Sequence, residues 1–273
     1  MQRGNALETP SDVQRPEHAT APLHGQVAWV TGGGTGIGRA AAQALGRLGA
    51  TVVVSGRRQS ELEAVVAELR ADGVRCVARD VDVAAAAAVD AAAASIAADF
   101  GGVDMLVCSA GMNLPDRHWE SLTADGFARV VATNLNGVAS CVAAVLPGMR
   151  SRRRGSIVVV SSWAGWSYLS FSGVAYSASK AALGPVVASI NDQEGRHGVR
   201  ATLLCPAETA TPMMRARPVP PSDEAMARML RPEDVADAAA YVCSAPPHVC
   251  LNEIVISPVW NRIYIGAEDL TPR

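Results

Sequence analysis

A chain of 273 residues with 49% hydrophobic content is long enough to bury one large core or two small ones. Its formal net charge of −2 argues against a nucleic acid or an anionic membrane surface as partner, and no apolar run reaches the length of a membrane span. The 6 cysteines are scattered, without a CxxC pair or a cluster with histidine, and therefore predict buried thiols and no metal site.

The first segment of the chain, residues 1–24, is polar, contains prolines and lacks the apolar core of a signal peptide. It predicts a disordered leader in front of a single domain that spans 25–273. Because the sequence carries neither a secretion signal nor a membrane span, we expect a soluble, cytoplasmic protein.

Seven short runs rich in β-branched residues alternate with alanine-rich stretches of helical length. The runs occupy residues 26–31, 51–55, 74–78, 103–109, 156–162, 200–205 and 253–257. Continuous apolar strands separated by helices indicate a parallel sheet covered on both faces. The alanine tract 82–100 is interpreted as one of these helices and not as low complexity. The sequence therefore predicts a single doubly wound α/β domain with a seven-stranded parallel sheet.

The first predicted strand runs into a glycine-rich turn, "TGGGTGIG", which opens a helix pattern. Glycines let the backbone approach a pyrophosphate, and the helix N-terminus supplies free N–H groups and a positive dipole end. A glycine-rich turn alone is often only a turn, but its place between a strand and a helix is typical of dinucleotide binding. The predicted phosphate-binding residues are Gly32, Gly34, Thr35, Gly36, Ile37 and Gly38.

The end of the second strand indicates which dinucleotide is preferred. Sites for NAD place a carboxylate here for the ribose 2′-hydroxyl, whereas arginine accommodates the 2′-phosphate of NADP. This chain has Gly56 at that place, followed by Arg57 and Arg58, and guanidinium groups pair well with phosphate. Alternatively, both arginines merely begin the next helix on its solvent side. The pattern favours NADP(H), with NAD(H) as the other possibility.

A second motif, "AYSASK", follows the fifth strand and contains the only lysine of the chain, Lys180. Tyr176 precedes it by four positions, so the two side chains share one face of a helix. A phenol has a pKa near 10 and is a poor acid–base catalyst, but a fixed ammonium nearby lowers that pKa. The pair thus predicts a proton donor and acceptor.

With these motifs the chain resembles the classical short-chain dehydrogenase/reductase family, over nearly everything after residue 25. The family's TGxxxGxG pattern falls on Thr31 to Gly38, and its YxxxK pattern on Tyr176 and Lys180. Its catalytic serine matches Ser162, one position further from the tyrosine than is common in the family, which leaves Ser161 as the alternative. The resemblance implies a Rossmann-type fold and a homodimer or homotetramer.

Further site residues are carried over from the family residue by residue. Asn134 matches the family asparagine, and Asp80 with Val81 matches its adenine-binding position. Other matched cofactor-binding residues are Ser109, Ala110, Gly111, Pro206, Thr209 and Thr211. Two motifs depart from the family pattern: Ser109 and its preceding cysteine replace two asparagines, and Ala207 replaces a glycine.

The resemblance implies hydride transfer between the nicotinamide and a carbonyl or secondary alcohol, without a metal. Tyr176 would exchange the proton on the substrate oxygen, and Ser162 would orient that oxygen. Lys180 would lower the tyrosine pKa and bind the nicotinamide ribose. Asn134 would hold a water in the proton relay.

The sequence gives less information about the substrate than about the cofactor and the catalytic residues. The predicted substrate-contacting residues are Trp163, Trp166, Tyr168 and Met213. The aromatic cluster predicts either a pocket wall or rings that pack in a subunit interface or against the neighbouring loop. The proline-rich segment after Thr211 predicts a mobile lid, on which Arg215 and Arg217 meet either an acidic substrate group or solvent.

Three functional interpretations remain open at this point. The C-terminal tail resembles the NADP-dependent family branch that acts on 3-hydroxy acids and related alcohols. A 3-oxoacyl-carrier-protein reductase is an alternative within the enzyme class, and a catalytically silent dinucleotide-binding scaffold or regulator is an alternative outside it.

Overall fold

The computed structural model describes residues 21–266 and contains a seven-stranded sheet in which every neighbouring pair is parallel. The strands are β1 (Val27–Thr31), β2 (Thr51–Gly56), β3 (Cys76–Asp80), β4 (Met105–Cys108), β5 (Gly155–Val160), β6 (Val199–Pro206) and β7 (Glu253–Ile256). Their spatial order is β3-β2-β1-β4-β5-β6-β7. The doubly wound parallel architecture predicted from the sequence is thereby confirmed. β3 begins later than the β-branched pattern predicts, because its register follows its neighbour β2.

Helices of the α type fill the connections. They are α1 (Gly36–Arg47), α2 (Gln59–Ala71), α3 (Ala86–Phe100), α4 (Ala124–Val131), α5 (Gly137–Arg152), α6 (Trp163–Trp166), α7 (Val174–Ala181), α8 (Leu183–Glu194), α9 (Pro212–Arg215), α10 (Asp223–Ala227), α11 (Pro232–Ser244) and α12 (Arg262–Ile265). A π-helical turn, Ala132–Asn136, joins α4 to α5, and 3₁₀ turns occupy Ser170–Ser172 and Gly195–His197.

Each face of the sheet is covered by its own layer of helices. One core contains the buried residues of α1, α2 and α11, and the other those of α3, α5 and α8. The alanine tract lies in the second layer, where Val89, Ala92 and Ile96 of α3 are buried against the sheet. Small side chains let this helix approach closely, so the interpretation of the tract as a packed helix is confirmed.

The beginning of the domain requires a correction. Residues 1–20 of the predicted leader lie outside the described residues, but 21–24 are part of the folded domain. Leu23 is only 1% exposed, and its amide donates a 2.9 Å hydrogen bond to the carbonyl O of Leu48. An apolar residue anchored in this way belongs to the core, so the predicted boundary after residue 24 is too late.

One helical stretch, Ala124–Arg152, is long and apolar enough to cross a membrane by length and composition alone. Core helices of globular domains meet the same criterion. Here the stretch contributes Cys141, Val142, Val145 and Met149 to the core beneath the sheet, which accounts for its apolar composition.

The strand order creates the place where a ligand can bind. The chain winds outwards from β1 through β2 to β3, and then returns to β4 on the other side of β1. Helices on the two sides of this reversal diverge, and a crevice opens beyond the carboxyl ends of β1 and β4.

Candidate active site

The glycine-rich turn lies at that crevice and leads directly into α1. Thr35 is the residue before the helix, and its side chain makes no capping hydrogen bond, so the first N–H groups of α1 are left for an anion. Gly38 faces away from the crevice. A Cβ at this position would lie 2.3 Å from the carbonyl O of Gly32, so only glycine lets the helix start so close to the turn. Gly38 therefore shapes the cradle without lining it.

Arg57 and Arg58 lie exposed just beyond β2 and line the same cleft. Arg58 donates a 3.2 Å hydrogen bond to Thr35 Oγ1 and lies 3.6 Å from the carboxylate of Glu61, which also lines the cleft. The sequence analysis found no carboxylate at the end of β2, but the first turn of α2 brings Glu61 close. Arg39 ion-pairs with a carboxylate on α2 at 2.7 Å and is engaged there.

Of the two predicted adenine-binding residues, Asp80 and Val81, only one lines the cleft. Val81 is buried and lines the cleft, whereas the Asp80 side chain is exposed and does not line it. Residues alternate sides at the end of a strand, so when Val81 faces the cleft its neighbour faces away. Asp82 and Val83 complete this end of the cleft, and the sequence analysis missed both.

Two loops form the middle of the cleft. Ser109, Ala110 and Gly111 follow β4, and the amide of Ala110 donates a 3.3 Å hydrogen bond to Thr31 Oγ1 at the end of β1. The loops after β1 and β4 are thus held together.

The loop after β6 closes the cleft from the other side. All three predicted residues, Pro206, Thr209 and Thr211, line it. Thr209 Oγ1 donates a hydrogen bond to the carbonyl O of Ala207 at 3.1 Å.

Tyr176 and Ser162 lie together at the far end of the cleft. Burial raises the pKa of the Tyr176 phenol, while Ser162, Arg217 and Arg117 act in the opposite direction. The phenol is therefore protonated at neutral pH. Ser162 is also the cap of α6 and accepts a 3.1 Å hydrogen bond from the Ala164 amide, which fixes its position.

The neighbouring serine has a different role. Ser161 Oγ donates a 2.9 Å hydrogen bond to the carbonyl O of Lys180, and its side chain is buried. Of the two candidates left by the motif spacing, the structure brings Ser162 to Tyr176 and uses Ser161 to hold α7 against β5.

Lys180 lies beneath Tyr176 and is 4% exposed. Its Nζ donates a 2.7 Å hydrogen bond to the carbonyl O of Val160 and lies 5.9 Å from the centre of the Tyr176 ring. Burial lowers the pKa of the ammonium to about 8. Ser162, Arg217 and Arg117 act to lower the Tyr176 pKa, and a lowering by Lys180 stays a prediction.

Asn134 occupies the π-helical turn and is fully buried. Its Oδ1 accepts a 2.8 Å hydrogen bond from the amide of Met112, and its Nδ2 donates to the carbonyl O of Met112 at 2.9 Å and to Ser179 Oγ at 3.1 Å. The side chain clamps the loop after β4 to α7. It does not line the cleft, so the structure supports a positioning role.

The predicted substrate residues divide into two pairs. Trp163 and Met213 line the cleft. Trp166 and Tyr168 do not line it, and they are 48% and 71% exposed. The short helix α6 turns the chain outwards after Trp163, so Trp166 packs edge-on against the outer side of that ring with centroids 5.1 Å apart. The prediction that Trp166 and Tyr168 contact substrate is therefore corrected.

The C-terminal tail forms part of the site, which the sequence analysis did not predict. Arg262 Nε donates a 2.5 Å hydrogen bond to a carboxylate oxygen of Glu208, in the loop after β6. Tyr264 packs edge-on against Trp163 at 5.4 Å, and Ile263 lines the cleft. These residues lie far in sequence from the residues they contact and follow no spacing rule, so no local pattern in the sequence predicts their place in the site.

Two arginines flank the substrate end of the cleft. Arg217 ion-pairs with Glu208 at 2.5 Å, and its guanidinium carbon lies 5.3 Å from the centre of the Phe171 ring. Arg117, in the loop after β4, lines the cleft and is 6% exposed. The sequence pattern singles out Arg217 but not Arg117, because a single arginine in a loop carries no pattern.

Together these residues enclose a continuous cleft of about 330 Å³. At one end are the uncapped N-terminus of α1 and two arginines, a donor set that fits the phosphates of a dinucleotide. At the other end a phenol and a serine hydroxyl converge in a partly apolar chamber. Among residues 21–266, no group of three or more potential metal ligands is present.

The family comparison agrees with this geometry. The family model for short chain dehydrogenase matches residues 26–219. An uncharacterized oxidoreductase of Staphylococcus aureus (strain MW2) is 32% identical over 237 residues, which cover 87% of this chain and 99% of that protein. The glycine betaine reductase of Emericella nidulans is 36% identical over 242 residues, but the chain spans only 19% of that protein's length.

Solved structures give the same result. A metagenomic short-chain oxidoreductase in complex with NADP superimposes with a TM-score of 0.76 at 30% identity and covers 87% of this chain and 99% of its own. An alcohol dehydrogenase from the archaeon Thermococcus sibiricus, complexed with 5-hydroxy-NADP, gives 0.77 at 27% identity and covers 87% and 98%. The fold, the arrangement of the cleft and the full-length relatives show that the chain belongs to the short-chain dehydrogenase/reductase family, whose members are NAD(P)-dependent oxidoreductases.

Proposed function

We propose that this protein is an NADP(H)-preferring oxidoreductase that interconverts a carbonyl compound and its secondary alcohol, with Tyr176 as proton donor and acceptor. The observation that carries the proposal is the Ser162 hydroxyl beside the Tyr176 phenol at the end of the dinucleotide cleft. A protein that only bound a dinucleotide would have no use for this pair, so it favours an enzyme over a silent scaffold.

The N-terminus of α1 and the two arginines after β2 would hold the cofactor. Arg57 and Arg58 offer two guanidinium groups at the place where the 2′-phosphate of NADP distinguishes it from NAD. Glu61 already lies near Arg58, and an approaching phosphate would compete with this half-exposed carboxylate. When bound, NADP(H) supplies the hydride acceptor or donor.

Proton transfer belongs to Tyr176. Its raised pKa keeps the phenol protonated at neutral pH, so it can donate a proton to the substrate oxygen during carbonyl reduction. The resulting phenolate would be stabilised by the Ser162 hydroxyl and by the positive charges of Arg217 and Arg117. In the oxidative direction the same phenolate would accept the proton of the alcohol.

Lys180 and Asn134 are fixed next to this catalytic pair by hydrogen bonds to the backbone. The ammonium is fixed by Val160 at the end of β5, and the amide fixes the loop after β4. Gly111 lies between them: a Cβ there would be 3.6 Å from both Lys180 Nζ and Asn134 Oδ1. Binding of the nicotinamide ribose by Lys180 and a proton relay through Asn134 stay predictions.

The remaining expectations also stay predictions. A homodimer or homotetramer is proposed from the family resemblance. The large exposed side chains of Trp166, Tyr241 and Trp260 would suit a contact between two copies of the chain. The cytoplasmic location is proposed because all described cysteines are free thiols.

The experiment that tests the proposed function is a panel of ketones and secondary alcohols followed by the absorbance of NADPH. We expect oxidation of NADPH with at least one ketone and slower turnover with NADH. If no member of a broad panel is reduced or oxidised while NADPH still binds, the scaffold alternative replaces the enzyme.

A further inference from the structure

Arg117 is a buried cation at the substrate end of the cleft, and no hydrogen bond joins its side chain to another of the residues 21–266. The residue is 6% exposed, and its Nε is shielded from solvent without a hydrogen-bond partner. Within residues 21–266 no carboxylate forms an ion pair with it. Guanidinium groups are rarely buried without a partner, because removing their charge from water is costly. A buried arginine that lines an open cleft therefore indicates an anionic ligand.

The position of Arg117 is built into the fold. The residue lies against Gly173, immediately before the helix that carries Tyr176. A Cβ at residue 173 would be 2.5 Å from the Arg117 Cβ and 2.9 Å from its Cγ, and Gly173 has a φ of 79°, which disfavours any other residue. A second contact holds the same loop: Asn113 Nδ2 donates a 2.9 Å hydrogen bond to the carbonyl O of Ser172. Arg117 is thus fixed beside the catalytic helix and not free on a surface loop.

The surrounding charges leave Arg117 as the unneutralised cation of its cluster. The nearest acidic group at this end of the cleft is Glu208, but Glu208 already accepts hydrogen bonds from Arg217 and Arg262. The remaining carboxylates that line the cleft, Glu61 and Asp82, lie beyond β2 and β3 at the opposite end. The repulsion from Arg217 and the burial both lower the pKa of Arg117, and the proximity of Tyr176 raises it. The substrate end therefore carries an excess of positive charge.

We propose that the substrate carries a carboxylate, which Arg117 binds beside the reacting carbonyl or alcohol group, so that oxo acids and hydroxy acids are the substrates. The planar guanidinium forms paired hydrogen bonds with a carboxylate and so fixes its orientation. Because Arg117 is largely buried and its Nε is shielded from solvent, a carboxylate would supply the acceptor that residues 21–266 do not. This inference rests on the proposed function and assigns a specificity-determining role to Arg117.

Arg117 is expected to contribute more to the affinity for the substrate than to the rate of the reaction. Removing Arg117 removes an interaction with the substrate carboxylate, but Tyr176, Ser162 and the cofactor cradle stay in place. Loss of a hydrogen bond to a charged group corresponds to a factor of about 10 to 100 in binding. For an acid the additional change is expected mainly in KM, because the carboxylate is bound equally in the ground state and the transition state. A fall in kcat from the lost positive charge near Tyr176 would affect acids and esters alike, so the ratio of acid to ester tests the carboxylate site.

The test compares oxo acids with their methyl esters, which have the same reacting carbonyl but no charge. The pairs are acetoacetate and 4-oxopentanoate with their esters, assayed with NADPH on the wild type and on Arg117→Met, Arg117→Lys and Arg215→Met. Arg215 is the matched control, since its side chain is 64% exposed and pairs with Asp223 outside the cleft. We expect the wild type to prefer each acid over its ester about 10-fold to 100-fold in kcat/KM. Arg117→Met should abolish the preference, Arg117→Lys should retain part of it and Arg215→Met should leave it unchanged.

The ester reactions separate this inference from the proposed function. A wild type that reduces esters at least as well as acids, or an Arg117→Met variant that loses both equally, overturns the inference and leaves the oxidoreductase intact. If no compound is turned over, the proposed function fails, and carboxylate binding is then measured by the tryptophan fluorescence of the NADPH-bound protein titrated with 4-hydroxypentanoate. Binding that Arg117→Met weakens and Arg215→Met does not still supports the carboxylate site, whereas equal or absent binding overturns it.

Discussion

Lys180 Nζ donates a 2.7 Å hydrogen bond to the carbonyl O of Val160, the last residue of β5. The bond holds the only lysine of the chain at the carboxyl end of a central strand, within the cleft and beneath Tyr176. Arginine could not replace it without change, because its planar guanidinium is larger and directs its donors differently. The structure therefore gives a reason for lysine here that does not depend on the tyrosine pKa.

The lowered pKa of Lys180 predicts a pH dependence of cofactor binding. Burial brings this pKa to about 8 in the free protein, so Lys180 is charged below that pH and neutral above it. An anionic cofactor favours the charged form. NADPH affinity should therefore be highest below pH 8 and should fall several-fold as pH rises through the pKa.

The measurement is the dissociation constant of NADPH, followed by fluorescence between pH 6.5 and pH 9.5, with Lys180→Met as comparison. We expect weaker and nearly pH-independent binding in the variant. An inflection near pH 8 that persists in Lys180→Met would assign the titration to another group.

Cofactor choice depends on Arg57 and Arg58. Arg57→Asp should lower kcat/KM for NADPH about 10-fold or more and should raise the relative use of NADH, because a carboxylate repels the 2′-phosphate and suits the 2′-hydroxyl. The ratio of kcat/KM for the two cofactors is the measurement. Arg47→Asp, on the exposed end of α1, is the control. If the ratio is unchanged in Arg57→Asp, the NADP argument fails.

The two adjacent serines have separable roles. Ser162→Ala removes the partner of Tyr176 and should reduce kcat about 100-fold. It should also shift the rising limb of the pH profile of alcohol oxidation to higher pH, since Ser162 lowers the Tyr176 pKa and the phenolate is the base. Ser161→Ala removes the bond to the Lys180 carbonyl and should cost about 1 kcal/mol of stability with kcat little changed. If kcat fell in Ser161→Ala and stayed nearly unchanged in Ser162→Ala, the catalytic role would belong to Ser161.

Glu208 should stabilise the C-terminal wall of the site. Burial alone would raise the pKa of its carboxyl group, but Arg262 and Arg217 hold that pKa below its ordinary value. A lowered pKa contributes stability that is present at neutral pH and is lost as pH falls through the folded pKa. Glu208→Gln should therefore lower the free energy of unfolding by about 3 kcal/mol at pH 7.

The check on Glu208 is urea unfolding at several pH values. The difference between wild type and Glu208→Gln should shrink as pH falls through the lowered pKa of the folded protein, where the carboxyl group of the wild type also becomes neutral. Asp223→Asn, which affects the exposed pair with Arg215, should change stability by less than about 1 kcal/mol. A Glu208→Gln effect that is constant with pH would mean that the carboxylate charge is not its cause.

The fold and the motif residues follow from local signals in the sequence. Period and composition mark strands and helices, and the glycine turn and the Tyr176–Lys180 spacing are each contained within a few residues. These features predicted the sheet, the cleft and the residues at its two ends. The alanine tract was also interpretable, because flanking strands leave a helix as the only element of that length.

The remaining features depend on tertiary contacts. The outward position of Trp166 and Tyr168 follows from the turn of α6, and the exposure of Asp80 from the way the chain leaves β3. Glu208 and Arg262 meet across 54 positions of sequence. Arg117 is held beside the helix of Tyr176 by its contact with Gly173, and no sequence pattern connects these two residues. Such relationships depend on burial and distance, which a single sequence does not contain.

The central claim is that Tyr176 transfers the proton in a reaction linked to NADP(H), and Tyr176→Phe tests it most directly. The measurement is kcat for the best ketone of the panel, together with the dissociation constant of NADPH for the same variant. The structure predicts that turnover falls by at least about 1,000-fold while NADPH binding changes less than about 3-fold, because the ring and the cofactor cradle are retained. Turnover within about 10-fold of the wild type, with NADPH bound normally, would contradict the assignment.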